Sequence, residues 1–179
     1  LTIAGSDSGG GAGIQADLKT FLALQTYGMS VLTALTAQNT QGVQSVHTPD
    51  PAFVRAQFDS VATDVRIDAI KIGMLANAPI VREVIQCIAA WQKQHAVPVV
   101  LDPVMVSTSG SLLLQRDAIG ALIEGLFPLC TLLTPNLPET DAILQNAGVT
   151  PPAATNDLAK MMASAQSIAR LGVANVLVK

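Results

Sequence analysis

Five glycines stand within nine residues near the start of the chain, Gly5-Ser6-Asp7-Ser8-Gly9-Gly10-Gly11-Ala12-Gly13. A short apolar run, residues 1–4, precedes them, and an amphipathic helical pattern from Ile14 follows. Glycines let a backbone turn sharply and approach a ligand closely, and such a loop between strand and helix is the usual seat of a phosphate. Two standard versions of that seat fail here. A P-loop needs a lysine directly after its last glycine, and Ile14 stands there. A dinucleotide fingerprint needs an acidic residue about 20 positions on, and no Asp or Glu occurs between Leu18 and Thr48.

Other residues could also do chemistry. Asn136 and Glu139 form an N-x-x-E pair in Thr134-Pro135-Asn136-Leu137-Pro138-Glu139. This spacing suits a helix start, with Asn136 as cap and Glu139 on the positive dipole end. It also suits a magnesium site, because Mg²⁺ keeps several waters and needs few protein oxygens. Asp17 reads either as dipole compensation in the first turn of a helix or as a carboxylate facing a substrate amine or hydroxyl. His47 and His95 read as bland surface residues, and Cys87 and Cys130 as core thiols.

These residues must be positioned by a regular framework. Short runs rich in Val, Ile and Leu predict strands at 1–5, 30–37, 43–46, 68–73, 97–101, 130–134 and 173–178. Apolar spacing of three and four predicts helices at 14–26, 52–64, 79–95, 115–125, 137–146 and 157–171. In the third helix Val81, Val84, Ile85 and Ile88 form the buried face, with Lys93 and His95 in the last turn. In the last helix Leu158, Met161, Met162, Ala165 and Ile168 do so, with Gly172 as the residue after its cap. Strand–helix alternation predicts one α/β domain over residues 1–179 with a mainly parallel sheet. Ligands then bind outside the carboxyl ends of the strands. Those ends carry Gly5-Ser6-Asp7, Gln38-Asn39, Gly73-Met74, Asp102-Pro103, Thr134-Pro135-Asn136 and Lys179, a ring of functional groups around one crevice.

Composition narrows the partners. With a net charge of −3 and aromatic residues at 3%, the chain has neither the basic patch nor the stacking platforms that nucleic acid requires. No apolar run has the length of a membrane span. Two cysteines inside apolar patterns argue for a reduced, cytoplasmic protein rather than a disulfide framework. The chain opens and stops inside strand patterns, so both ends are expected to be incomplete.

The strings IAGSDSGGGAGIQADLKTF, TALTAQNTQGV, KIGML, VVLDPVMVSTSG and LLTPNLPE, in this order, resemble the hydroxymethylpyrimidine and phosphomethylpyrimidine kinases of thiamine biosynthesis. These belong to the ribokinase-like superfamily. The resemblance implies a three-layer α/β/α sandwich, truncated at its C-terminus, and a homodimer. It also implies two successive phosphoryl transfers from ATP with Mg²⁺, first to hydroxymethylpyrimidine and then to its monophosphate. By the same resemblance Gln38, Asp17, Gly5 and Met74 contact the pyrimidine. Gln38 would pair its amide with the ring nitrogen and exocyclic amine, as glutamine pairs with adenine. Asn136 and Lys179 serve ATP, and Glu139 and Asp102 serve the metal. Relatives carry a lysine where Thr108 stands in Ser107-Thr108-Ser109-Gly110, so no charge contact is expected there. The catalytic base and anion hole are expected beyond Lys179. Two alternatives stay open: a pyridoxal or pyridoxine kinase of the same fold, and a non-catalytic ligand-binding module.

Overall fold

A computed structural model of the chain describes residues 1–105, 114, 116–153 and 156–179. The loop Ser107-Thr108-Ser109-Gly110 lies outside the described residues. The chain runs β1 (Thr2–Asp7), α1 (Gly13–Ala23), β2 (Ser30–Asn39), β3 (Gly42–His47), α2 (Pro51–Ala62), β4 (Ile70–Ile72), α3 (Ala78–Gln92) and β5 (Val99–Leu101). Then follow α4 (Arg116–Ala121), a π-helical turn (Leu122–Leu126), a 3₁₀ turn (Phe127–Leu129), β6 (Leu132–Leu133), α5 (Leu137–Asn146) and α6 (Asp157–Ala169).

The sheet order is β3-β2-β1-β4-β5-β6, parallel except for the antiparallel β2–β3 hairpin. The path from β1 to β2 moves one way across the sheet, and the path from β2 to β4 returns past β1 to its other side. Right-handed crossovers then put α1 on one face and α2, α3 and α4 on the other. In agreement, α1 packs on β1 and β2, while α2 packs on α3 and α3 on α4. The order reverses between β1 and β4, and a crevice opens at the carboxyl ends there.

Side chains of both layers bury the core. Ile3, Val31, Ile70, Ile72, Val99, Leu101 and Leu133 are sealed between helices that contribute Val54, Phe58, Val81, Val84, Ile88, Ile143 and Ile168. Helix starts are set by side-chain caps. Asp50 accepts from Ala52 N at 2.8 Å, Asn77 from Ile80 N at 3.0 Å and Asn156 from Ala159 N at 2.9 Å. Helix α1 lacks a side-chain cap bond; the glycine loop fixes its entry.

Several expectations are corrected. Strand β1 runs on to Asp7 and β2 to Asn39, so residues read as strand-end loops extend the sheet itself. Segment 173–178 gives one bridge, Leu133 with Val176, rather than a strand. Asp17 is the fifth residue of α1 and not a first-turn dipole group. Helix α3 ends at Gln92, with Lys93 as its cap residue, so His95 lies beyond the helix and stacks on Trp91 at 3.7 Å. On α6, Leu158 and Met162 are exposed, and Ser164 and Ile168 are the buried positions. Its cap is Arg170, and Gly172 takes a left-handed φ of +103° one position later than expected.

Cys87 and Cys130 are buried and unpaired, as read from the sequence. Burial pushes both thiols up to about 12, so almost no thiolate, the reactive form, exists at neutral pH. Iodoacetamide at pH 7.5 should therefore leave both cysteines unmodified in the native chain and label both in denaturant. Labelling by mass spectrometry under native conditions would contradict this packing.

Candidate active site

The crevice at the reversal point is a cleft of about 320 Å³. Ser6 and Asp7 reach it from β1, Gln38 from β2, Gly73 and Met74 from the end of β4, and Asp102 from the end of β5. Gly5, Asp17 and Lys71 complete its inner wall. Four of the six strand ends singled out in the sequence thus share one cleft. Asn136, Glu139 and Lys179 do not line it; Lys179 adjoins it through its pair with Asp102, whose charge also acts on Glu139.

The glycine loop is built around Asp7. Its carboxylate, buried, accepts from Gly9 N at 2.7 Å through Oδ1 and from Gly11 N and Ala12 N at 2.9 Å through Oδ2. Its carbonyl accepts from Gly10 N at 2.9 Å. All four loop amides from Gly9 to Ala12 are therefore satisfied by one residue, and Asp7 N donates to Gln15 Oε1 at 2.8 Å. A nest of backbone N–H groups binds anions; this one already holds an internal carboxylate. That is the physical reason the loop is a wall and not a phosphate seat. The sequence placed Asp7 among the strand-end groups but did not reveal its role in the loop, although a carboxylate at the head of a glycine run is a known turn-former. Gly13 seals the loop at φ +56°, where an added Cβ would lie 2.3 Å from Gly5 O.

Two irregularities in the sheet aim the walls. Between Ala4 and Gly5 the β1–β2 register skips Thr33, and the buried Thr33 Oγ1 donates to Met74 O at 2.5 Å. A second shift, opposite Ala37 and Gln38, leaves its extra residue, Gln44, on β3. Bulges next to a site bend the strand and redirect a side chain. Gln38 Oε1 accepts from Thr36 Oγ1 at 3.2 Å, and its backbone exchanges two 2.8 Å bonds with Ser8 Oγ. Met74 Sδ would lie 3.1 Å from a Cβ added at Gly5, so the two close one side of the cleft. Asp17 Oδ2 accepts from Thr2 Oγ1 at 2.6 Å and pairs with Lys71 Nζ at 2.9 Å. Lys71 opens the KIGML string that carries the resemblance, but the sequence assigns it no role.

The polar side of the crevice holds the remaining groups. Asn136 and Glu139 form a reciprocal capping box: Glu139 N donates to Asn136 Oδ1 at 2.8 Å, and Asn136 N to Glu139 Oε2 at 2.9 Å. Lys179 Nζ pairs with Asp102 Oδ1 at 2.7 Å. Burial pushes the Glu139 carboxyl above its ordinary value. Nearby Asp102 adds to the rise, while amides of Asn136 and Met105 and the charge of Lys179 oppose it. Among the described residues no three His, Cys, Asp or Glu side chains cluster as a metal site. The donor set Asp102, Glu139 and Asn136 still fits Mg²⁺, which takes few protein oxygens and retains water.

Comparison with known proteins places this geometry. The pyridoxal kinase of Staphylococcus aureus in complex with pyridoxal superposes with a TM-score of 0.84 at 33% identity, over 100% of this chain and 61% of that one. Phosphomethylpyrimidine kinase of Clostridium difficile 630 superposes with a TM-score of 0.85 at 42% identity, over 100% of this chain and 73% of that one. The fold is thus that of the ribokinase-like vitamin kinases. Within them, the phosphomethylpyrimidine kinase family model matches residues 7–179. The hydroxymethylpyrimidine/phosphomethylpyrimidine kinase of Escherichia coli K12 is 51% identical over 179 residues, all of this chain and 64% of that protein. The chain belongs to the phosphomethylpyrimidine kinase family, and it spans about two thirds of the length of the curated relatives it matches.

Two outcomes follow from these contacts. Asp7→Asn puts an amide donor among backbone donors and removes the charge; it should cost about 3 kcal/mol in urea unfolding, where less than about 0.5 kcal/mol would show that the loop holds itself. For Glu139 the folded chain binds the proton more tightly than the unfolded chain. Its stabilising contribution is therefore present below the unfolded value of 4.5 and lost as pH rises through the higher folded value. Glu139→Gln keeps an acceptor for Asn136 N but cannot titrate. The stability of the parent minus that of the variant, from urea midpoints between about pH 4 and 7, should fall with rising pH; a flat or rising difference would contradict the shift.

Proposed function

We propose that this chain is part of an ATP-dependent kinase that phosphorylates hydroxymethylpyrimidine and then its monophosphate. The observation that carries the reading is the meeting of Gly5, Asp17, Gln38 and Met74 in one small cleft, with Asp102 at its mouth. A volume of about 320 Å³ suits one small ring, at the lower end of the roughly 300–1,000 Å³ of ligand pockets. The Gln38 amide offers a donor and an acceptor to an aminopyrimidine edge. Met74 and Gly5 offer flat apolar contact. Asp17 faces the amine or hydroxymethyl group.

Phosphoryl transfer depends mainly on positioning and charge stabilisation. Asp102, Glu139 and Asn136 would hold Mg²⁺, which neutralises phosphate charge when bound. Lys179 would turn from Asp102 to an ATP phosphate, and the freed carboxylate would then serve the cation. In this reading the base that accepts the hydroxyl proton comes from outside residues 1–179. The reading also carries a homodimer and a cytoplasmic location. The second is supported by two unpaired buried cysteines. Among the described residues, no helix is long and apolar enough to cross a membrane.

A second reading, a pyridoxal kinase, is favoured by the likeness to the S. aureus enzyme in complex with pyridoxal. Calorimetric titration separates the two: hydroxymethylpyrimidine should bind and pyridoxal should not displace it. Gln38→Ala should weaken pyrimidine binding about 5- to 150-fold and leave nucleotide affinity unchanged. Phosphorus NMR with Mg·ATP should show monophosphate, then diphosphate. Preferred pyridoxal binding would favour the second reading. Pyrimidine binding without ATP turnover in the complete protein would favour a binding module.

A further inference from the structure

The pair of Asp17 and Lys71 is unusual for its place. Their side chains are 15% and 27% exposed, and the pair sits between α1 and the sheet. Ion pairs removed from water gain little net stability, because desolvation offsets the attraction. One at a pocket wall therefore calls for another explanation. The sheet beneath it is shaped around the lysine. Thr2 and Lys71 are register partners on β1 and β4, so they share a face, with Ala4 and Gly73 two residues further along. A Cβ at Gly73 would lie 2.9 Å from Lys71 Nζ and 3.1 Å from Ala4 Cβ. The small residues Ala4 and Gly73 thus leave a channel in which the ammonium rests.

The contacts on Asp17 are one-sided. Thr2 Oγ1 and Lys71 Nζ both bond Oδ2. Among the described residues the carboxylate is held at one oxygen only, and Oδ1 is the acceptor left for a molecule in the cleft that Asp17 and Lys71 both line. We propose that Lys71 is a positioning residue for recognition of the ring substrate. It fixes the rotamer of Asp17 and balances its charge, so that the cleft presents an oriented acceptor to an uncharged amine or hydroxyl. This rests on the pyrimidine reading above and adds to it a residue that acts through Asp17 without touching substrate. A cleft with this charge unbalanced would favour a cationic ring over a neutral one.

The test is a double-mutant cycle on the complete protein, with hydroxymethylpyrimidine as titrant. Lys71→Met keeps the length of the stem and removes the charge. It should weaken pyrimidine binding about tenfold, with nucleotide affinity unchanged. In an Asp17→Asn background the same change should have no further effect, because its effect passes through Asp17. The doubly substituted chain buries no unpaired charge, so its comparison with Asp17→Asn decides the matter if Lys71→Met alone fails to fold. Pyrimidine binding unaltered in Lys71→Met overturns the proposal. So does a tenfold loss that persists in the Asp17→Asn background, or one matched by equal loss of nucleotide affinity, as a structural role would give. Failure of the parent protein to bind pyrimidine overturns the functional reading itself, which sets the two failures apart.

Discussion

The Asp7 carboxylate, bonded to the backbone amides of the glycine loop, is the interaction on which the rest of the site depends. Five glycines in nine residues give the chain freedom it must lose on folding, and that loss is expensive for glycine more than for other residues. A buried carboxylate accepting three N–H bonds supplies charge-assisted contacts that fix the loop in one shape. Once fixed, the loop delivers Gly13 to the start of α1 without any side-chain cap and sets Ser8 against the backbone of Gln38. It also determines what the loop cannot do, since amides turned inward to a protein carboxylate are not available to a phosphate.

From that fixed wall the sheet topology does the rest. Reversal of strand order between β1 and β4 opens the crevice, and neighbouring parallel strands then contribute their carboxyl ends to it. Within a regular sheet, side chains would alternate strictly between faces. The register shift at Thr33 breaks this alternation on β2 beside the cleft, while the shift opposite Gln38 is taken up by Gln44 on β3. Thr33 spends its hydroxyl on Met74 O, which ties β2 to the turn after β4. The cleft is therefore braced through strands on both sides of β1.

Much of this was legible in the sequence, for definable reasons. Buried parallel strands are continuous apolar runs, and Val99–Leu101 announces itself as such. The capping signal Asn136-x-x-Glu139 marks a helix start because local backbone groups need those partners. Gln38, Gly5, Met74 and Asp102 could be grouped because the strand-end rule converts chain order into proximity. The bond from Gly11 N to Asp7 is local, but that the carboxylate is buried and turned to these amides is visible only in the folded loop. The pair of Asp17 and Lys71 spans 54 residues, and only the register of β1 with β4 brings it together. Leu158 and Met162 show the opposite failure: helical periodicity reports an apolar stripe but not whether anything lies against it.

The charges of the crevice follow one design. Asp7 is answered by backbone amides, Asp17 by Lys71 and Asp102 by Lys179, so each carboxylate that lines the cleft has its own compensation. The three devices differ in how firmly they hold. Amide bonds inside the loop cannot leave without unfolding it. Lys71 is confined between α1 and the sheet by the small residues Ala4 and Gly73. Lys179, by contrast, is half exposed and its bond to Asp102 lies at the open side, where water and salt weaken it. A rigid, balanced inner wall suits recognition of a neutral ring. A loosely paired lysine and carboxylate at the rim suit the arrival of a phosphate and its cation, because each of those can take one member of the pair. In the proposed reading, the gradient from fixed to exchangeable compensation runs from the ring-binding wall to the phosphate side of the same crevice.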